Sequence, residues 1–434
     1  MARRGNVALE ALRVLDGPGE VAAAPATTRR GRRLTVNSHI HLPPNFSAFD
    51  GVREAVDCAA RDGIEVLGAS NYYDFAVYDE FAAETRRRGM FPLFGVEVIA
   101  LDGALEARGV RVNDPGNPGK MYVCGKGITR FERPSREARR LIARIRANDA
   151  ERMRRMIEKM NRAFAGAGVD VGLDESVVID GVVRRTRCAK ETVTLQERHV
   201  ARALQEAVFE RVEPAKRLDA LGAVFGAAAG CDPSDAASVQ NEIRAQLMKA
   251  GKPAFVEERF VTFEEAARLV LELGGVVCYP TLADGAKPVC AFEEPVEALI
   301  ENMAARGVYF AEFIPGRNDA AVLEHYVRAM RGAGIVVTAG TEHNTLERFA
   351  MRPKAAGGAE IPEEAAGIFR EGARVAAAHE YLSARGGTGF VDGEGNLNDA
   401  YGGREQLIGA MDELGAAVIE RYRETAGFGR EGGS

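Results

Sequence analysis

From Leu34 onward the chain alternates short apolar runs with amphipathic segments that end in glycine, and this alternation leaves few folds open to it. LTVNSHI reads as a strand and VREAVDCAARDG as a helix stopping at Gly63. EVLGASN, then YDEFAAETRRRG with Gly89 at its end, then FPLFGVEVIA, repeat the pattern. Strand, helix, strand with Gly at the helix ends is the pattern of parallel βα units. Residues 132–252 break the rhythm. SREARRLIARIRANDAERMRRMIEKMNRAFAGAG, TLQERHVARALQEAVFERV and SVQNEIRAQLMKAG are helical in period with no clear strand between them, which predicts a helical insertion. The rhythm resumes near Pro253 with TFEEAARLVLELGG, VVCYP, PVEALIENMAARG, VYFAEFIP, LEHYVRAMRGAG and IVVTAGTEHN. After Met351 two more helices surround a Gly-rich turn. The predicted division is a lead-in over 1–33, a first barrel half over 34–131, the insertion over 132–252, a second barrel half over 253–352 and a helical C-terminal extension over 353–434. Parallel βα units repeated over this length predict a barrel, whose chemistry gathers at the C-terminal ends of the strands.

Bulk properties exclude several classes. Hydrophobic residues at 46% and charged residues at 28% describe a globular chain. A net charge of -6 argues against a general nucleic-acid or membrane-surface binder. No apolar run spans a bilayer, and MARRGNVALEALRVLDG has no continuous apolar core of a secretory signal. Six scattered Cys without a C-x-x-C fit a reducing compartment, so a cytoplasmic location and free thiols are expected. A short helix or strand is expected near Val7–Val14. Arg29–Arg33 reads as a solvated lead-in, and GREGGS at the end is expected to be disordered.

The polar residues at the predicted strand ends carry the chemistry. His39 and His41 are two of only six His. Residues two apart on a strand share a face, so both imidazoles point one way just before Pro43 and Pro44 break the strand. Two imidazoles on one face can chelate a divalent ion. Read blandly, they meet backbone carbonyls or water. Asn71, Asp74, Glu97, Tyr279, Glu312, Glu342 and His343 also fall at or just after strand ends, and convergence of such residues on one rim is what a barrel metal site needs. Glu97 stands in an apolar strand, where an unpaired carboxylate is costly to bury. Tyr72 is an aromatic packing residue, an anion binder or an acid. Tyr73 reads as packing. Arg317, after a strand, fits a phosphate in fork geometry or an ordinary surface position. Lys126 is flanked by Gly but lacks P-loop spacing. His325 and His379 lie in amphipathic helices and read as structural.

The order of these segments resembles the PHP (polymerase and histidinol phosphatase) superfamily, in its long, insertion-bearing phosphoesterase-like branch, over about residues 34–352. NSHIHLPPNF is similar to the opening D-x-H-x-H motif, FGVEVIA to the metal-bridging Glu motif and TLQERHVARAL to an Arg-Pro-His segment. AARLVLELGGVVCYP resembles a run ending in His-Pro, and VTAGTEHNT occupies the last Asp-x-His motif. The resemblance implies a distorted TIM-like (β/α)7 barrel with a helical insertion and a helical C-terminal extension. It also implies a site on His39, His41, Glu97 and Glu342 for a divalent metal (Zn, Mn or Fe). Glu97 and His199, with Tyr279 or Cys278, would anchor a second ion. Asn71, Tyr72 and Asn344 stand where further ligands are usual, so one or two ions are expected, not three. His343 would supply a ligand if its loop slipped by a residue. The implied function is metal-dependent hydrolysis of a small phosphorylated metabolite or nucleotide by metal-activated water. Tyr72, Tyr279 and Arg317 are the catalytic candidates. Two other readings stand: metal-assisted chemistry on a sugar acid or another small metabolite, and a non-catalytic binding or regulatory protein. The expected partner is a small molecule, not a membrane or a nucleic acid.

Overall fold

The computed structural model of the chain describes residues 8–23 and 33–428. Eight strands occur among them: β1 Val36–Ile40, β2 Val66–Asn71, β3 Phe91–Leu101, β4 Lys120–Lys126, β5 Val261–Thr262, β6 Val276–Thr281, β7 Phe310–Phe313 and β8 Val336–Ala339. Seven of them run in the order β1-β2-β3-β4-β6-β7-β8, and β5 adds to the far end of β3. The first and last strands meet through a parallel bridge between Ile40 and Glu342. There the His41 amide donates to the Glu342 carbonyl at 2.8 Å and the Glu342 amide to the His39 carbonyl at 2.9 Å. The fold is therefore the expected distorted, nearly closed TIM-like barrel.

One element departs from the all-parallel pattern. β4, where the sequence marks only the Gly-flanked Lys126, pairs antiparallel with both β3 and β6. The link from Leu101 to Lys120 holds only the short helix Gly103–Ala107, so the chain turns back instead of crossing over. A parallel pairing needs a crossover long enough to carry the chain back along the sheet. The consequence is local and important. Cys124 and Lys126 share one face of β4, and that face is the barrel interior, since Cys124 lies within 4.8 Å of the Glu312 carboxylate of β7 and the Lys126 ammonium pairs with it.

The predicted helical insertion is present. Among the described residues it has its own apolar cluster, including Met153, Met156, Met160, Phe164, Val200, Leu204, Ile243 and Leu247. The long helix Arg136–Gly166 joins it to the barrel. Its first turns bury Ala138, Leu141 and Ile145 in the barrel core and its later turns bury Met153 to Phe164 in the second cluster.

The C-terminal helices close the barrel end opposite the H-x-H run. On the helix Glu363–Ala384, Glu380 accepts from the Phe94 amide at 2.8 Å, near the start of β3. His379 donates from Nε2 to the Gly274 carbonyl, just before β6, and accepts from the Phe390 amide at Nδ1. Gly372 abuts the Val337 carbonyl, where a Cβ would lie 2.1 Å from that oxygen. A short helix, Glu10–Arg13, fits the expectation for Val7–Val14 from its described part, whereas Arg29–Arg32 and the GREGGS tail lie outside the described residues.

The helix Arg404–Thr425 crosses Glu363–Ala384 at a glycine: a Cβ on Gly415 would stand 1.8 Å from the Arg374 carbonyl oxygen. Gly409 on the same helix meets nothing within 4 Å. Gly415→Ala is therefore expected to lower unfolding free energy by about 1–3 kcal/mol through overpacking. Gly409→Ala should raise it by up to about 1 kcal/mol through helix propensity. Chemical denaturation of the two variants checks this pair of opposite signs.

Candidate metal centre

Period-two geometry brings His39 and His41 from the end of β1 into the barrel mouth, and Glu97 reaches the same point from β3. Three lone-pair atoms converge there. His39 Nε2 lies 3.3 Å from His41 Nε2 and 3.2 Å from Glu97 Oε2, and His41 Nε2 lies 3.5 Å from that same oxygen. Ligands about 2.0–2.2 Å from a tetrahedral ion stand about 3.3–3.6 Å apart. The observed triangle has that size. All three residues are buried, and among the described residues they form one of two His/Cys/Asp/Glu groups compact enough for an ion. The donor set of two imidazoles and a carboxylate suits Zn, Mn or Fe.

The residues behind the triangle hold it in shape. His39 Nδ1 lies 2.6 Å from Glu312 Oε1, so the Nδ1 proton is committed and Nε2 faces its partners. A carboxylate on the far nitrogen is the usual way to fix a ligating imidazole. Glu312 also accepts from Ser38 Oγ at 2.8 Å and pairs with the Lys126 ammonium. The phenol of Tyr72 donates to Glu97 Oε1, and its ring stacks on His41 at 5.1 Å and 13°. Burial of Tyr72 and the adjoining Glu97 charge hold this phenol well above its ordinary range, so it stays a donor. Asn71 clamps the loop after His41 by exchanging hydrogen bonds with the Leu42 amide and carbonyl.

The electrostatics follow from burial opposed by pairing. Burial alone would keep Glu97 protonated, but hydrogen bonds from His39 and His41 outweigh it and hold the carboxyl well below its usual range. Burial works likewise against Glu312, and Lys126 with His39 pulls it down to about 2. Burial would lower His39, yet Glu312 and Glu97 raise it to about 9.

The structure gathers some of the sequence candidates and separates others. His39, His41, Glu97 and Tyr72 come together. Glu342 does not join the triangle. Its backbone closes the barrel beside His39, at a left-handed φ of 59°, while its carboxylate turns to Arg317 and to Asn344 Nδ2 at 2.8 Å. It nevertheless shares a cavity of about 520 Å³ with Glu97, Tyr72 and Arg317. His343 points elsewhere: Nδ1 lies 2.8 Å from Thr341 Oγ1, Nε2 lies 3.1 Å from the Phe349 carbonyl, and the ring stacks on Phe49. His199 is buried, but its Nδ1 accepts from the Gln196 amide at 3.0 Å as part of a capping box, and the Pro44 carbonyl bonds it as well. Burial and the nearby Arg185 and Arg202 lower it to about 3, so it is a neutral packing residue beside Phe46. Tyr279 faces away from the barrel interior, because strand parity turns Cys278 inward; its phenol donates to Glu293 at 2.8 Å.

Several contributors carry no assigned role in the sequence, although Glu312 stands among its strand-end residues. Glu312 sits in FAEF, an apolar strand with a lone carboxylate, which is the same signal that marked Glu97 in GVEV. Lys126 escaped because β4 was not read as a strand. Arg198 and Arg244 come from the insertion and line the cavity beside Glu97. Arg198 makes a cation–π contact with Phe46 at 5.9 Å, and burial with the adjacent Arg244 lowers it to about 10. Arg244 Nε is buried without a hydrogen-bond partner.

The molecule is a TIM-like α/β barrel with a histidine–carboxylate cluster at the strand ends. It is similar to a structure from Bifidobacterium adolescentis, presumptively described as a metal-dependent phosphoesterase, with TM-score 0.52 and 16% identity over 76% of this chain and 93% of that one. It is also similar to an amidohydrolase from Chromobacterium violaceum, solved with sulfate bound and no metal, with TM-score 0.50 and 17% identity over 77% and 96% of the two chains. At such identities the likeness establishes the fold. No family model and no curated protein sequence matches the chain. No helix among the described residues is long and apolar enough to cross a membrane.

A pH test follows from His39. Its raised pKa adds stability that is fully present below about 6.5 and is lost as pH rises through about 9. A divalent ion on Nε2 must displace that proton. Zn²⁺ or Mn²⁺ affinity should therefore rise up to about tenfold per pH unit and level off as pH passes about 9. Calorimetry in buffers of different ionisation enthalpy measures both the affinity and the released proton; an affinity flat in pH would contradict the assignment.

Proposed function

We propose that this chain is a metal-dependent hydrolase of the PHP kind that acts on a small phosphoester and uses one divalent ion held by His39, His41 and Glu97. The observation that carries the reading is the triangle of two Nε2 atoms and one carboxylate oxygen with edges of 3.2, 3.3 and 3.5 Å. The order of the H-x-H, G-V-E and G-T-E segments and the likeness in fold to a barrel described as a metal-dependent phosphoesterase support it. An ion held by His39, His41 and Glu97 would supply Lewis-acid polarisation for a phosphoryl oxygen and for the attacking water.

The chain's own residues do the rest. Glu312 holds the proton on His39 Nδ1, which keeps Nε2 free to donate. Tyr72 occupies Glu97 Oε1, which leaves Oε2 facing the imidazoles. Arg198 and Arg244 are weakly compensated guanidinium groups on one cavity wall, as Arg244 has only Glu197 at 3.5 Å and Arg198 no carboxylate within ion-pair distance among the described residues. Such a pair suits an oxyanion in fork geometry. Glu342 holds Arg317 in the same cavity. The insertion covers the mouth and limits the substrate to a small molecule.

A second reading has one observation in its favour. The Arg198 and Arg244 pair accepts a carboxylate as readily as a phosphate, which suits metal-assisted chemistry on a sugar acid.

The test is a panel of phosphomonoesters, nucleotides and sugar-acid derivatives, run with and without chelator on protein of known metal content. Chelator-sensitive phosphate release supports the proposal. Turnover confined to carboxylate substrates favours the second reading, and a bound ion with no turnover on any of them points to a binding protein. Glu97→Gln should reduce kcat/KM by at least about 100-fold and weaken ion binding. Arg198→Ala should cost about 10–100-fold in kcat/KM while the bound ion is retained, which separates substrate binding from metal binding.

A further inference from the structure

His39 belongs to two compact groups, not one. The first is His39, His41 and Glu97. The second is His39, Cys124 and Glu312, also fully buried and also with ligand atoms within 4.8 Å of one another. The second group offers an imidazole, a carboxylate and a thiol, a set that suits a thiophilic cation. One residue distinguishes them. The Lys126 ammonium sits on Glu312 Oε2, a carboxylate of the second group, and donates to the Ser38 carbonyl at 3.1 Å. Glu312 is fully buried, with Lys126 and Ser38 on one oxygen and His39 on the other.

We propose that Lys126 acts as a built-in cation that keeps divalent ions out of the His39, Cys124 and Glu312 group and so confines the centre to one ion, on the His41 and Glu97 side. This rests on the metal-centre reading above and extends it. A fixed positive charge a few ångströms from such a ligand set repels a divalent ion, and more strongly in a buried site than in water. The ammonium also neutralises Glu312, so that this carboxylate does not draw the ion toward itself and away from Nε2. Cys124 stays a thiol in this arrangement, as burial with Glu97 and Glu312 nearby opposes its ionisation. In the absence of Lys126, Glu312 loses its counter-charge. A cation entering there would form its bonds with the Cys124 sulfur and the Glu312 carboxylate, and the thiol proton would leave to the buffer, as would the His39 Nδ1 proton if that nitrogen joined as a ligand.

The experiment uses Cd²⁺, whose bond to a thiolate gives a charge-transfer band in the near ultraviolet, on full-length protein stripped of metal, with the partly exposed Cys58, Cys188 and Cys231 replaced by Ser in every sample, the one called wild type included, because those free thiols would give the same band. Wild type should bind one equivalent without that band, even with excess Cd²⁺. Lys126→Met should bind a second equivalent and show the band, and Lys126→Met combined with Cys124→Ser should lose it again. Lys126→Gln, which keeps a donor toward Glu312 without a charge, serves the same purpose if Lys126→Met does not fold. A thiolate band in wild type overturns the proposal, and so does a folded Lys126 variant that still binds one equivalent with no band. Wild type that binds no divalent ion at all removes the metal-centre reading itself, which is a different failure from the previous two.

Discussion

The rest of this structure depends on two carboxylates buried in the barrel. Glu97 and Glu312 are both removed from water, and each would be costly to keep charged without a partner. Lys126 answers one of them. The other is met by His39 and His41, whose ring nitrogens lie 3.2 and 3.5 Å from Glu97 Oε2. In the proposed centre, ion binding and the protonation of His39 Nε2 are alternatives. His39, with one nitrogen on Glu312 and the other beside Glu97, joins the two carboxylates.

Barrel architecture and chain reversal together create this balance. The parallel strands deliver His39, His41 and Glu312 to the interior in the usual way. The antiparallel β4 brings in Cys124 and Lys126. Had the chain crossed over after β3, as the βα rhythm suggests, the ammonium beneath Glu312 would not be there. The helical insertion follows directly on β4 and returns over the rim, which sets Arg198 and Arg244 beside Glu97. The C-terminal helices seal the opposite end through Glu380, His379 and Gly372, so the interior opens toward the insertion and not toward its floor.

Parts of the site were legible in the sequence for physical reasons. H-x-H on a strand puts two imidazoles on one face, and a carboxylate amid apolar neighbours implies a partner; His39, His41 and Glu97 converge accordingly. Glu342 lay in the expected loop, but its left-handed backbone and its ion pair with Arg317 turn the carboxylate aside. His199 sits close to the mouth, yet a helix cap engages one nitrogen and a backbone carbonyl bonds the ring as well. Tyr279 failed on parity, because the residue before it takes the inward position. In each case the local pattern identified a polar residue near the rim, while the direction of its side chain depended on a partner far away in the chain.

The sequence by itself determined the alternation of strand and helix, the place of the insertion and the H-x-H pair, because these depend on periodicity and turn residues that act over a few positions. Only the tertiary structure decided that β4 runs antiparallel, that Glu312 is the partner of His39 across 273 positions, and that Lys126 is its counter-charge across 186. Those contacts arise from closing a sheet into a barrel. Closure brings together side chains whose separation in sequence carries no local signal, and the cost of burying charge then selects which of them must pair.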